Sequence, residues 1–191
     1  MSITSNDLTG RFTYSDYLSW PEDERWELIE GVPYDMTPAP STKHQEVLGE
    51  LHRLFSNYLK GKSCKAYLAP FDVRLSRENE SKDDIQSIVQ PDLTIVCDRS
   101  KLDEQGCKGA PDLIIEILSP ATMKKDLGVK LRLYERAGVL EYWVVHPNDQ
   151  TVLIFHWKQG VYGTPTFYKI PDEIPVKLFE DLVIPLSEVF Q

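Results

Sequence analysis

No stretch of this chain stays apolar for the roughly 18 residues that cross a bilayer. Its opening segment, MSITSNDLTGRFTYSDYLSW, has neither a basic n-region nor an apolar h-region. The sequence therefore carries no signal for membrane insertion or secretion. Cysteine is scarce: Cys64, Cys97 and Cys107 are odd in number, widely spaced and free of any C-x-x-C pair. That pattern argues against a zinc ribbon and for a reducing, cytoplasmic setting. A Gly-rich phosphate loop, a dinucleotide fingerprint and an H-E-x-x-H are all missing, as is a Ser or Cys nucleophile in a recognisable setting. Net positive charge is missing too. The formal charge is −9, which argues against long-range steering toward nucleic acid. The stretches KHQEVLGELHRLFSNYLKGKSCK and MKKDLGVKLRLYERAG are locally basic, however, so a local phosphate groove stays open.

What is present suits one domain spanning residues 1–191, with 41% hydrophobic and 27% charged residues. A short helical segment stops near Pro21, and a hairpin turns through Glu30-Gly31. After the PAPS loop, Ser41 or Thr42 can cap a helix. Val47, Leu48, Leu51, Leu54, Phe55, Tyr58 and Leu59 then follow the spacing of one helical face, ending at Gly61. KAYLAPFDVRLS reads as a strand with a Pro-associated irregularity, and RENESKDDIQSI as a charged loop. Strands follow at 92–97 and 113–118, a helix from Met123 to Ala137, a strand at 140–146 and a hairpin over 151–162. The Pro-rich tail is expected to pack on a sheet edge. This order predicts an α/β fold, a mixed sheet with helices against it.

QPDLTIVCD and APDLIIEILSP both begin Pro-Asp and run into aliphatic residues, and the second carries Glu116 mid-strand. Side chains alternate between faces, so Ile114, Glu116 and Leu118 share one face of a central strand. A lone buried carboxylate costs several kcal/mol, so Glu116 needs a partner. Asp112, four residues away on the same strand, is roughly 13 Å distant and too far to share an ion directly. Asp92, opening the other strand, is close enough if the strands are neighbours about 4.8 Å apart. Two such carboxylates favour Mg²⁺ or Mn²⁺ over zinc. From spacing alone the alternative is equally compatible: Asp92 caps a strand and Glu116 pairs with a Lys or Arg. Asp126, Lys130 and Tyr134 repeat every four residues and share a helical face, with Leu127, Leu131 and Leu133 as the apolar part of that helix. Alone, this face reads most simply as a solvated Asp126–Lys130 pair.

Taken together, WELIEG, PAPSTKHQEVLGEL, QPDLTIV, PDLIIEILSPAT, the D-x-x-x-K-x-x-x-Y series at 126–134 and GVLEYWVVHP resemble the Uma (Uma-two) family of restriction endonucleases. That family lies within the PD-(D/E)XK nuclease superfamily. The resemblance runs from about Tyr17 to Tyr162 and implies a restriction-endonuclease-like mixed β-sheet flanked by helices. It implies a metal-dependent enzyme cutting DNA phosphodiesters, with Asp92 and Glu116 as ligands of Mg²⁺ or Mn²⁺, working as a homodimer whose contact surface lies around 151–168. The superfamily's lysine normally follows the acidic residue by two positions, where this chain has Leu118. Lys130 is the substitute on offer, orienting water or neutralising phosphoryl charge. His44 is assigned to the cleft rim, with a capping or core histidine as the structural alternative. Glu27, ahead of Glu30, resembles an accessory acidic residue. Gln90 and Tyr134 are the expected substrate contacts, although Gln90 could instead close a turn. His52, His146 and His156 read as structural. The competing expectation is a degenerate nuclease fold that binds or assembles without cutting.

Overall fold

The computed structural model describes residues 11–21, 24–36, 39–77 and 79–191. The first ten residues, Pro38 of the PAPS loop and Glu78 of the charged loop lie outside them. Helix α1 (Tyr14–Tyr17) precedes a hairpin of β1 (Trp26–Ile29) and β2 (Val32–Asp35), followed by α2 (Thr42–Leu59). Next come β3 (Lys65–Leu68), β4 (Val73–Arg74), β5 (Ile88–Val89), β6 (Leu93–Val96), β7 (Leu102–Asp103), β8 (Gly106–Lys108) and β9 (Leu113–Ile117). Helix α3 (Met123–Lys125), a π-helical turn (Asp126–Lys130) and α4 (Leu131–Ala137) lead to β10 (Glu141–His146) and β11 (Thr151–Lys158). The chain closes with β12 (Val161–Tyr162), β13 (Thr166–Lys169), β14 (Glu173–Pro175), β15 (Val183–Pro185) and α5 (Leu186–Val189).

The central sheet runs β12-β11-β10-β9-β6-β3, with β13 added to β11. Its β9–β10 pair is parallel and its other pairs are antiparallel. A second sheet, β2-β1-β5-β4-β8-β7, carries the N-terminal hairpin. The fold is thus α/β, a mixed sheet flanked by helices, as the sequence predicts. In the hairpin, Ile29 pairs with Val32, and the two turn residues Glu30 (φ 53°) and Gly31 (φ 79°) both take positive φ. Two-residue loops of the I′ class need that conformation.

Alternation along β9 divides the core. Leu113, Ile115 and Ile117 pack with Val47, Leu51 and Phe55 of α2 and with Trp143. Ile114 and Leu118 pack on the other face with Leu133, Tyr134 and Tyr142. Fully burying each such side chain is worth about 1.5–3 kcal/mol, so this strand is held from both sides. Helix α2 starts where the sequence places it, because the Ser41 hydroxyl accepts from the His44 N–H at 3.2 Å.

Three expectations are corrected. KAYLAPFDVRLS is not one strand: at Pro70 it breaks into β3 and β4, which join different sheets. The helix over 123–137 is interrupted by the π turn, where the Tyr142 hydroxyl donates to the Asp126 carbonyl at 3.1 Å. A side chain inserted into the helical ladder in this way is a known cause of local distortion, and the shifted phase leaves Leu127 38% exposed rather than on the apolar side. The Pro-rich tail packs on a sheet edge only at β13, which pairs with β11; beyond it, Ile174, Ile184, Leu186 and Val189 are buried among the α2-side residues. Finally, Cys64 and Cys97 form a disulfide, a pairing their wide spacing does not announce. The β3–β6 register explains the encounter: continuing Lys65↔Val96 by one residue sets Cys64 opposite Cys97. Cys107 is free and buried, and burial pushes its thiol up to about 11. Among the described residues no helix is long and apolar enough to cross a membrane.

Gly106 fastens β8 to the rest of the second sheet. Its φ is +119°, and a Cβ there would lie 2.2 Å from the Asp72 carbonyl oxygen, which accepts from the Cys107 N–H at 2.8 Å. Gly106→Ala is expected to cost at least about 1–3 kcal/mol from backbone strain, read as a lowered urea midpoint.

Candidate active site

Glu116 is 4% exposed and lies on the α4-facing side of β9. The β6–β9 register pairs Leu93 with Ile115. Continued by one residue, it sets Asp92 opposite Glu116. The Asp92 carboxylate is fixed by the Ile117 N–H at 2.7 Å and by His44 Nε2 at 3.2 Å, both on Oδ2. A carboxylate only accepts, so Nε2 is the donor. His44 itself is buried on the first turn of α2, and its Nδ1 has no hydrogen-bond partner. Burial disfavours its charged form, but the Asp92 carboxylate outweighs that and raises its pKa. At 20% side-chain exposure against 5%, Asp92 is the solvent-facing member of the carboxylate pair and Glu116 the inner one.

Lys130 reaches Glu116 from the π turn. Its ammonium lies 2.7 Å from Glu116 Oε1, 2.7 Å from Glu27 Oε1 and 3.8 Å from Asp126 Oδ1. The pair read from sequence as solvated is therefore buried, with Lys130 and Asp126 each 2% exposed. Glu27 comes from β1 of the second sheet and is wholly buried, so one lysine links the two sheets. The other Glu27 oxygen receives Lys125 at 2.7 Å. Tyr134 donates to Glu116 Oε1 at 2.7 Å.

The cluster is electrostatically crowded on the carboxylate side. Burial alone would raise the Glu27 carboxyl, but the Lys130 and Lys125 ammonium groups outweigh it and hold it below its usual range. Burial raises Glu116 to about 8; Lys130 opposes this, while Asp126, Asp92 and Glu27 add to it. Burial likewise raises Asp126, whose Oδ1 is buried without a hydrogen-bond donor. For Lys130 the surrounding carboxylates overcome burial and keep it protonated. Four carboxylates, Glu27, Asp92, Glu116 and Asp126, thus share two ammonium groups, a formal excess of two negative charges. Glu116 is the member that most readily takes a proton. Among the described residues no group of three His, Cys, Asp or Glu side chains is arranged to hold a metal.

Both expected substrate contacts have internal hydrogen-bond partners. Gln90 Nε2 donates to Asp72 Oδ1 at 2.9 Å and to the Tyr17 hydroxyl at 3.3 Å, and its Oε1 accepts from Arg25 at 2.9 and 3.3 Å. Its backbone N–H donates to Glu27 Oε1 at 3.0 Å. Gln90, directly after β5, thus ties the end of that strand to Glu27 of β1 and to Tyr17, Arg25 and Asp72. Tyr134 is fully buried and points to Glu116, away from solvent. Glu30 stands apart, paired with Arg77 and Arg136 at the surface. Asp112 caps the end of β6 by accepting from the Cys97 N–H at 2.7 Å. Lys125 was missed by sequence reasoning: in the basic run MKKD nothing marks it off from Lys124.

A family model, Uma2, described as "Putative restriction endonuclease", matches residues 14–187. The chain belongs to the Uma2 family. The match takes in the hairpin with Glu27, both Pro-Asp strands and the interrupted helix with Lys125 and Lys130. An uncharacterized protein of Synechocystis sp., slr1290, is 29% identical over 144 residues, spanning 74% of this chain and 72% of that one. Among solved structures, this Uma2 chain resembles one from Anabaena variabilis described as a "putative nuclease belonging to DUF820". The TM-score is 0.73 at 23% identity, covering 94% of this chain and 97% of the other. That likeness establishes the shared fold.

Proposed function

We propose that this Uma2 protein is a metal-dependent endonuclease that hydrolyses DNA phosphodiester bonds at the Asp92–Glu116 pair. The observation that carries the reading is the placement of two carboxylates side by side at the end of adjacent strands, one open to solvent and one clamped by a buried lysine. The donor set fits Mg²⁺ or Mn²⁺. Mg²⁺ is commonly held by one or two carboxylates, its other positions filled by water and substrate phosphate, whereas a structural zinc site asks for four protein ligands. The excess of two negative charges and the raised Glu116 pKa also favour a divalent cation, which would let Glu116 ionise.

Bound there, the ion would supply an acidified water and stabilise charge on a phosphoryl oxygen. The protein's own groups do the positioning. His44 and the Ile117 N–H fix the Asp92 carboxylate, and Lys130 and Tyr134 fix Glu116. Glu27 holds Lys130 in place. Cutting both strands of a duplex takes two such sites, so we infer a homodimer. Its contact would use the β12–β13 region, where Val161 and Phe167 are more than half exposed. We place this activity in the cytoplasm, on DNA. A second reading, a module that binds or assembles without cutting, draws support from the fact that Lys130 already satisfies one Glu116 oxygen. The deciding assay is nicking of supercoiled plasmid in Mn²⁺. Wild type is expected to cut and Asp92→Asn to lose at least about a hundredfold of the rate, in line with loss of metal affinity; an intact, folded wild type that leaves the plasmid untouched favours the second reading.

A further inference from the structure

Lys125 and Lys130 are five residues apart, yet they grip the two oxygens of one carboxylate: Lys125 Nζ on Glu27 Oε2 and Lys130 Nζ on Glu27 Oε1, each at 2.7 Å. On a regular α-helix, residues five apart point about 140° away from each other. The π turn over Asp126–Lys130 removes that divergence, because its i→i+5 spacing returns residues five apart to the same side. The distortion, stabilised by the Tyr142 hydroxyl on the Asp126 carbonyl, is thus the device that brings a second ammonium group to the site.

The two lysines are not equivalent. Lys130 has 2% side-chain exposure and is enclosed by Glu27, Glu116 and Asp126. To meet a phosphate it would have to leave two buried carboxylates. Lys125 has 13% exposure and a single ion-pair partner at 2.7 Å, so of the three N–H bonds of its ammonium two remain for another acceptor. It also lies over the ring of Tyr34 at 5.8 Å. Tyr34 is the cross-strand neighbour of Glu27 in the β1–β2 hairpin. The hairpin therefore offers an acid and an aromatic face that aim Lys125 without saturating it. Exposed Lys124 stands next to it in the chain.

Resting on the nuclease reading above, we propose that Lys125 is the cation that contacts the substrate phosphate, and that Lys130 is a positioning residue that never leaves its carboxylates. The π turn assigns the two roles by placing both ammonium groups on Glu27, one inside the protein and one at its surface.

The test is binding of a fluorescein-labelled DNA duplex by the full chain, followed by anisotropy across a KCl series, once in EDTA and once in Ca²⁺. Removal of one phosphate contact lowers the log–log salt slope by about 0.9. Lys125→Gln is expected to show that loss in both buffers, with a smaller fall in thermal midpoint than Lys130→Gln because Lys130 still pairs with Glu27, and Lys125→Arg to restore the slope. Lys130→Gln is expected to keep the wild-type slope while its thermal midpoint falls. A Lys125→Gln protein with an unchanged slope, or one that fails to fold, overturns the assignment while plasmid nicking by wild type leaves the nuclease reading standing. A wild type that neither binds nor nicks DNA overturns both.

Discussion

Lys130→Met is expected to destabilise the protein by about 3–5 kcal/mol, the usual cost of removing one partner from a buried ionic cluster. Among the described residues, Lys130 is the one group that touches Glu27, Glu116 and Asp126 together. Its removal leaves Glu116 and Asp126 with no ammonium group in contact. At about 2–4 °C per kcal/mol for a chain of this size, the thermal midpoint should fall by roughly 6–20 °C. The loss should be largest above pH 8, where the carboxylates must ionise, and smaller near pH 5, where burial lets them stay protonated. Glu116→Gln in the same background should recover part of the loss, because it removes one of the stranded charges; such coupling is what a double-mutant cycle measures. A single-variant loss under about 1 kcal/mol would mean that Lys130 does not hold the cluster together.

Glu116→Gln alone is expected to have opposite effects on stability and function. In the metal-free protein, burial has raised the Glu116 carboxyl from 4.5 to about 8. Over that interval the folded chain holds a proton that the unfolded chain has released, so stability falls as pH rises from 4.5 to about 8 and flattens beyond. Glutamine has no proton to lose and removes that decline. At pH 9 the metal-free variant should therefore be more stable than wild type by more than about 1 kcal/mol. Added Mn²⁺ should reverse the order. Wild type gains about 2.7 kcal/mol at a hundred times its Kd, and the variant gains nothing. A site that costs stability when empty is what a functional carboxylate cluster looks like in thermodynamic terms. Parallel pH profiles for the two proteins, measured by urea unfolding, would contradict this account of Glu116.

Much of this site was legible in the sequence because it follows strand geometry. Alternation along LIIEIL puts Glu116 on a definite face, and the two Pro-Asp openings suggest neighbouring strands. The observed register has Leu93 against Ile115 and brings Asp92 beside it. Helical spacing likewise put Asp126, Lys130 and Tyr134 on one face. What could not be read were the features set by tertiary packing. The sequence gives no cue that Lys130 is enclosed, because enclosure depends on Glu27 arriving from a second sheet. The π turn was equally hidden: it depends on Tyr142, sixteen residues from Asp126 along the chain. Without it, Lys125 would be counted as one more solvated lysine in a basic run. Cys64 and Cys97 meet for the same kind of reason, through the register of two strands far apart in sequence. The internal partners of Gln90 and Tyr134 were likewise not legible, because Asp72 and Glu116 reach them only through tertiary packing.

The most direct test of the proposed centre is Mn²⁺ titration by calorimetry, at pH 7 and pH 9, in buffers of different ionisation enthalpy. Wild type is expected to bind one ion. At pH 7 binding should release close to one proton, the one held by Glu116, and at pH 9 nearly none. Asp92→Asn and Glu116→Gln should abolish the heat. Absence of Mn²⁺ binding by folded wild type at millimolar concentration would contradict the metal centre at Asp92 and Glu116, as would binding that both variants retain.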